Sequence, residues 1–302
     1  MQKKAQAMVM ASLVADSLAL GVHWIYDTEE LAAKVGRVES LLKPDKDSFH
    51  PSKDKGDFTH YGDQTFVLLH SIAECKTFEL QDFARRWQKF FIDYPGYVDY
   101  ATKETLNNFS SAKSPEQSGS SSNDLAGASR IAPVVYCLRD NPQQCISAVR
   151  SQTMMTHTDP DTLDASEFFA RVILCVLDGK APESAIRWTA VEYFSKSRLF
   201  RWAEKGIDSQ DIDSVPAVSG FGMDCHTPHA FPAVIHLIVR HQNNLKEALI
   251  NNVMAGGDSA ARGMLIGMVL GAYLGEESIP AQWLADLKKG HEIRSLLDQI
   301  SA

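Results

Sequence analysis

The sequence predicts an all-α protein, many helices of moderate length in a single domain, and three observations carry that reading. Apolar residues recur with helical spacing in segment after segment, few runs alternate with period two, and no short-period repeat marks a solenoid. The chain has 302 residues, enough for one large domain whose core encloses a site. Hydrophobic residues make up 44% and charged residues 23%, the balance of a folded chain and not of a disordered one.

Residues 5–22 place Ala7, Met8, Ala11, Val14, Ala15 and Leu18 on one face, and the small side chains let neighbours approach closely, so a buried central helix is expected. Lys3 and Lys4 just before it suit a signal peptide, but Asp16 breaks the apolar run and no convincing cleavage site follows, so the segment reads as the first helix. Residues 36–62 are rich in Lys and Asp and are punctuated by Pro44, Pro51, Gly56 and Gly62, which predicts a long, mobile surface loop. A second helix is expected from about Asp63, as its cap or first-turn acid, to Lys76, with Phe66, Leu69, Ile72 and Ala73 facing a core. Further helical patterns cover 79–93, 98–109, 126–139, 142–155, 161–178, 181–203, 227–240, 244–255, 259–274 and 281–299. Ser, Gly and Pro dominate 108–124, a second mobile loop inside one domain spanning 1–302. The uncharged stretch Gly263 to Leu274 is too short for a bilayer, which takes about 20 residues, so no membrane span is expected.

Thirty Lys and Arg against thirty-eight Asp and Glu leave a net charge of −8, which offers no basic field to nucleic acid or an anionic membrane. Small molecules or proteins are the expected partners. The five cysteines, at 75, 137, 145, 175 and 225, form no C-x-x-C pair and mostly sit in apolar helical context. Reduced, buried thiols and a cytoplasmic location are therefore expected.

Candidate chemistry sits where acids meet small residues. Asp16 lies in an apolar helix, Asp63 follows Tyr61 and Gly62, and Asp258 follows Gly256 and Gly257 at the start of another helix. Each also reads as a plain helix cap, worth about 0.3–1 kcal/mol. Ser129 and Arg130 fall among small and apolar residues, where an Arg needs an anion: a structural carboxylate or a phosphate. His157 precedes a helix that Asp159 or Asp161 can cap. Residues 219–232 carry Gly220, Phe221, Gly222, Asp224, Cys225, His226 and His229, but C-H-x-x-H lacks the paired spacing of zinc motifs and Pro228 disrupts a helix there. H-E-x-x-H, G-x-G-x-x-G, G-x-S-x-G and the G-K-[ST] phosphate loop are absent.

Taken in order, these segments resemble the ADP-ribosylglycohydrolase family. Residues 15–19, ADSLA, match its G-D-A-L-G, with Asp16 kept. YGDQTFVLL resembles its T-D-D-T signature at Asp63 and Thr65. LAGASRIAPVV echoes its N-G-A-x-M-R-I-A-P, and Thr156, His157 and Pro160 echo T-H-x-H-P. Ser219 to Gly222 match its Gly-rich S-F-G, and GGDSAARG matches G-G-D-T-D-T. Six segments in order span residues 11–275 and imply the family's multi-helix orthogonal bundle.

The resemblance implies hydrolysis of a glycosidic bond to ADP-ribose or a related nucleoside phosphate, at the ribose anomeric carbon. Family enzymes hold two Mg²⁺ ions with residues of the first and last signatures and a Glu after the first helix. Here those positions offer Gly62, Asp63 and Gln64, then Asp258, Ala260 and Ala261, with His23 near the Glu position. Mg²⁺ takes about six oxygens, so at most one weakly held ion is expected, on Asp63 and Asp258. The resemblance then makes Asp63, Asp16 and His157 the catalytic candidates, with His23 a further source of positioning or proton transfer. Gln64, Ser129, Arg130, Gly220, Phe221 and Gly222 become the ligand-binding candidates. The alternative is a non-catalytic descendant that binds a ligand resembling ADP-ribose, or a structural one, since this fold was recruited as jellyfish lens crystallins.

Overall fold

The computed structural model describes residues 2–301, among which helices follow in the order α1 (Gln2–Leu20), α2 (Thr28–Val35), α3 (His60–Cys75), α4 (Leu80–Phe91), α5 (Tyr100–Ser110), α6 (Ala126–Ser129), α7 (Ala132–Leu138), α8 (Pro142–Met154), α9 (Pro160–Leu177), α10 (Pro182–Phe194), α11 (Arg198–Asp208), α12 (Ser214–Phe221), α13 (Thr227–Arg240), α14 (Leu245–Met254), α15 (Ser259–Leu274), α16 (Ala281–Asp286) and α17 (Gly290–Ser301). No strand occurs among the described residues, only isolated bridges pairing Ser120 with His157 and Asp124 with His226. The fold is all-α, and none of these helices is long and apolar enough to cross a membrane.

Small residues at four-residue intervals set the centre. Gly263, Gly267 and Gly271 of α15 run antiparallel along Ala15, Ala11 and Ala7 of α1, so the two backbones touch. A Cβ on Gly267 would stand 2.5 Å from the Ala11 carbonyl oxygen, and one on Gly271 2.7 Å from the Ala7 carbonyl oxygen. Both helices are buried over most of their length, as expected of helices apolar on every face. One continuous apolar core, drawing on residues from Ala5 to Leu297, surrounds them. The antiparallel arrangement places the C-terminal end of α1 beside the N-terminal end of α15. His23, just past the end of α1, therefore meets Asp258 in the interior, and Asp16 is buried further back along α1.

Several sequence boundaries move, each for a local reason. The second helix begins at His60, three residues before the expected Asp63, because Thr59 caps it by accepting from the Tyr61 amide at 3.1 Å; Asp63 lies in its first turn. The 126–139 pattern is two helices, with Pro133 in the first turn of the second. The 181–203 pattern divides at Ser195 to Ser197 and runs on to Asp208, and 281–299 divides before Gly290. Helices α2 and α12 lie outside the expected patterns. Each is only eight residues long, and α12 contains Pro216 and Gly220, poor helix formers that mask its period.

The 36–59 segment has no regular helix yet is pinned. Val38, Leu41, His50 and Phe58 are buried, Trp283 Nε1 donates to the Glu39 carbonyl at 2.8 Å, and the Lys288 amide donates to that of Gly56. The 108–124 segment holds the end of α5 and a short 3-10 turn. Its far half is stitched to Thr156 and Thr158 through Ser120 and to Cys225 and Thr227 through Leu125 and Asn123.

The α1–α15 contact yields a prediction of opposite signs for one substitution. Gly267→Ala is expected to destabilise by about 1–3 kcal/mol through overpacking. Gly220→Ala, where no atom lies within 4 Å of the added Cβ, is expected to stabilise by about 0.5–1 kcal/mol through helix propensity. Denaturant unfolding of both variants checks the pair; equal shifts contradict close packing at Gly267.

Candidate functional site

The signature acids prove to be tied into the protein by its own donors. Asp16, fully buried in α1, accepts from the Thr59 amide at 2.8 Å, the Thr59 hydroxyl at 2.5 Å and the Gly62 amide at 3.2 Å. It thereby receives the N-terminus of α3, whose dipole favours an acid there. Burial pushes its carboxyl up to about 6, opposed by the bonds from Thr59. Gly62 is required by this docking, since a Cβ there would lie 2.3 Å from Asp16 Oδ2. Asp16 thus docks the start of α3, with both oxygens engaged by the chain's own donors.

Asp258 caps α15, accepting from the Ala261 amide at 3.3 Å. Its Oδ1 also accepts from His23 Nε2 at 3.2 Å and its Oδ2 from the Tyr61 hydroxyl at 3.0 Å. Burial pushes this carboxyl up, but His23, Arg262 and Tyr61 together hold it below the usual carboxylate range. His23 is kept neutral, its pKa lowered by burial more than Asp258 raises it. The network then assigns the protons: His23 donates from Nε2, and its Nδ1 accepts from His50 Nε2 at 3.0 Å. Burial and the neighbouring His23, His60 and Lys53 lower His50 to about 2, and its Nδ1 is buried without a partner.

Aromatic rings close around this chain. His23 stacks on Trp24 with centroids 4.3 Å apart, and Trp24 meets Phe49 and Tyr97 edge-on at 5.0 and 4.8 Å. Trp24 holds a left-handed backbone, φ +67°, pinned because its amide donates to the Gly257 carbonyl while the Gly257 amide donates to that of Ile25. Such strain persists only where surrounding bonds fix it. Buried Arg262 ties the same turn, donating to the carbonyls of Met223 and Gly256 and to Asn252 Oδ1.

Asp63 stands apart. Its Oδ2 is held by Lys53 Nζ and by the Tyr94 hydroxyl at 2.5 Å, and it shares no partner with Asp258. Burial raises its pKa against the pull of Lys53 and Tyr94.

A second network joins three signature segments. Gln64 Oε1 accepts from Arg130 and from Trp87 Nε1, both at 2.8 Å. Arg130 also donates to Gln152 Oε1 at 3.3 Å and to Thr156 Oγ1. His157 bridges Thr156 Oγ1 at 2.8 Å and Asp124 Oδ1 at 2.9 Å. The expected anion on Arg130 is thus replaced by neutral oxygens, and burial lowers its pKa to about 10 although Asp99 and Asp124 oppose this. His157 is buried with both nitrogens engaged and so links Thr156 to Asp124 of the 120–124 turn. Ser129 spends its hydroxyl on the Ala126 carbonyl at 2.8 Å, so it presents nothing to a ligand. Gly220 and Phe221 belong to α12, the Phe221 ring lying under Lys205 Nζ and packed on the core. Gly222, φ +111°, lets the chain pass the His229 ring. His229 pairs with Asp224 and His226 with Asn123.

These donors do not make a magnesium site. Asp258 has both oxygens engaged, Asp63 carries an ammonium, Gln64 turns to Arg130 and Trp87, and alanines stand at 260 and 261. Among the described residues no three His, Cys, Asp or Glu side chains converge as metal ligands. A groove of about 980 Å³ between α4 and α5 contains none of the signature residues, so chemistry locates the candidate site at the Asp258 cluster, not there. Lys53, Tyr94, His50 and Asp124 escaped sequence reasoning, because polar loop residues give no periodic signal.

With this geometry in place, the comparisons fall into line. The sequence model of the ADP-ribosylglycohydrolase family matches residues 1–302, and the chain belongs to that family. It is similar to Crystallin J1A of Tripedalia cystophora, 25% identical over 99% of this chain and 96% of that protein. It is similar to the ADP-ribosyl-[dinitrogen reductase] glycohydrolase of Rhodospirillum rubrum, 24% identical over 82% of this chain and 80% of that protein. A solved ADP-ribosylglycohydrolase-related protein complex matches the fold with a TM-score of 0.81 at 21% identity, covering 99% of this chain and 97% of that one.

The raised Asp16 pKa has a consequence for stability. Its folded value of about 6 lies above the ordinary carboxyl value of 3.8, so between those limits the folded state binds the extra proton and this group's contribution falls as pH rises. Wild type is expected to gain stability over Asp16→Asn as pH drops from about 7 to 4, by up to about 3 kcal/mol. Urea unfolding of both proteins across that range measures the difference; a flat difference removes the buried, titrating Asp16.

Proposed function

We propose that this protein keeps the family's ligand cleft without its magnesium pair, holding a ligand of the ADP-ribose class and not hydrolysing it by the two-ion route. One observation carries the reading: the acids retained from the two metal signatures already accept hydrogen bonds from the chain's own His23, Tyr61, Lys53 and Tyr94. A metal would have to displace the donors on Asp258 and on Asp63 Oδ2, which leaves Asp63 Oδ1 as the one oxygen of the pair without a donor from the chain. The ligand class is inferred from family membership. The rings around Trp24 add stacking surface suited to a base, which is worth about 1–3 kcal/mol per base, with Phe49 53% exposed.

A second reading, glycosidic hydrolysis with reduced metal dependence, is favoured by the charge on Asp258. It stays anionic although buried, and an oxocarbenium-like transition state is stabilised by negative charge beside the sugar. In that case His23 and Tyr61 would orient the carboxylate, and Asp258 would act by its field.

Calorimetric titration with ADP-ribose, with and without Mg²⁺, is paired with an assay for release from an ADP-ribosylated peptide. The expected result is binding indifferent to Mg²⁺ and no release. Magnesium-dependent release overturns the proposal in favour of the family's two-ion chemistry, and metal-free release favours the second reading. No binding in either condition also overturns it and points to a structural, crystallin-like role.

A further inference from the structure

A cation already sits on the carboxylate that the first signature retains. Lys53 Nζ contacts Asp63 Oδ2 and lies 5.2 Å from the centroid of the Tyr94 ring, a contact that strengthens as water is withdrawn. The Lys53 and Asp63 side chains are 13% and 16% exposed. Surface pairs such as Lys43 with Asp54, at 66% and 55%, contribute little; the inner pair is shielded from water.

The backbone holds this lysine in place. The Lys53 amide donates to the His50 carbonyl at 3.0 Å, and the His50 ring bonds to His23 and through it to Asp258. One turn of the 36–59 segment thus reaches both retained acids, with an imidazole toward one and an ammonium toward the other. The remainder of an ion's shell is missing from α3. Gly62 carries no hydroxyl, and any side chain there would strike Asp16. Gln64 Oε1 is committed to Arg130 and Trp87. One carboxylate without further anionic ligands suits a single positive charge better than a divalent ion that takes about six oxygens.

We propose that Lys53 is the resident cation of this site, its tethered ammonium standing on Asp63 where family members place a divalent ion. The inference concerns the cation and does not use ADP-ribose, so a failed ligand titration leaves it standing.

The test is thermal unfolding of the full chain, in MgCl₂, methylammonium chloride or NaCl at matched ionic strength. Wild type and Lys53→Arg are expected to show equal Tm in all three salts. Lys53→Ala is expected to lose about 3–8 °C and to recover at least half of it in methylammonium, which restores the ammonium and its contact with Tyr94, but not in MgCl₂ or NaCl. Recovery should vanish when Asp63→Asn is added. A second variant, Lys53→Met, keeps the stem over Tyr94 and removes only the charge. In a double-mutant cycle Asp63→Asn should lower Tm in the wild-type background and raise it in the Lys53→Met background. The proposal is overturned by a Lys53→Ala Tm equal to wild type, by recovery that is absent or survives Asp63→Asn, or by additive effects in the cycle.

Discussion

Everything near the candidate site depends on the backbone contact between α1 and α15. Alanines at four-residue intervals on one helix face glycines at the same interval on the other, and no larger side chain fits between Gly267 and Ala11. The contact fixes depth as well as position. Because the helices run antiparallel, the end of α1 and the start of α15 are carried together into the interior, so Asp16, His23 and Asp258 are buried whatever their chemistry. A buried carboxylate without partners costs several kcal/mol. The rest of the site can be understood as the set of donors which that burial demands.

The demand is met differently for each acid. Asp16 draws on backbone amides and a hydroxyl at the start of α3, which leaves its pKa raised because amides compensate lost hydration only in part. Asp258 draws on an imidazole, a phenol and the field of Arg262, and stays below the usual range despite equal burial. Asp63, nearer the surface, takes an ammonium. A divalent ion offers such acids one common solution, gathering several carboxylates on one charge. This chain uses separate solutions, and the acids consequently face separate partners.

That difference explains what could be read from the sequence. The small-residue face of α1 was legible, because helix contacts follow a strict period, and so were the helices that carry the signature acids, although not that Asp63 would stand apart from Asp258. The partners of those acids were not legible. Lys53 lies in a stretch of Lys and Asp that reads as solvated loop, and nothing in its composition marks the lysine that turns inward. Tyr94 sits in the short loop after α4, at a spacing that belongs to no helix face. Arg130 did announce itself as a buried cation. Its actual partners, Gln64, Gln152 and Thr156, are neutral residues that converge from three separate segments.

Gln64 shows how a residue at a signature position ties helices together. An acid at this position would face both the site and Arg130, and the guanidinium would compete with any metal for it. As an amide, Gln64 accepts two hydrogen bonds with one oxygen and joins Trp87 of α4 to Arg130 at the break between α6 and α7. The crosslink between α3 and its neighbours is made without placing a charge there. Arg130 then keeps its charge through the fields of Asp99 and Asp124, and His157, bonded to that same Asp124, completes the link to the 120–124 turn. Residues from three of the family's motifs, Gln64, Arg130 and His157, are thus joined in one buried network that ties α3, the α6–α7 break and the 120–124 turn together.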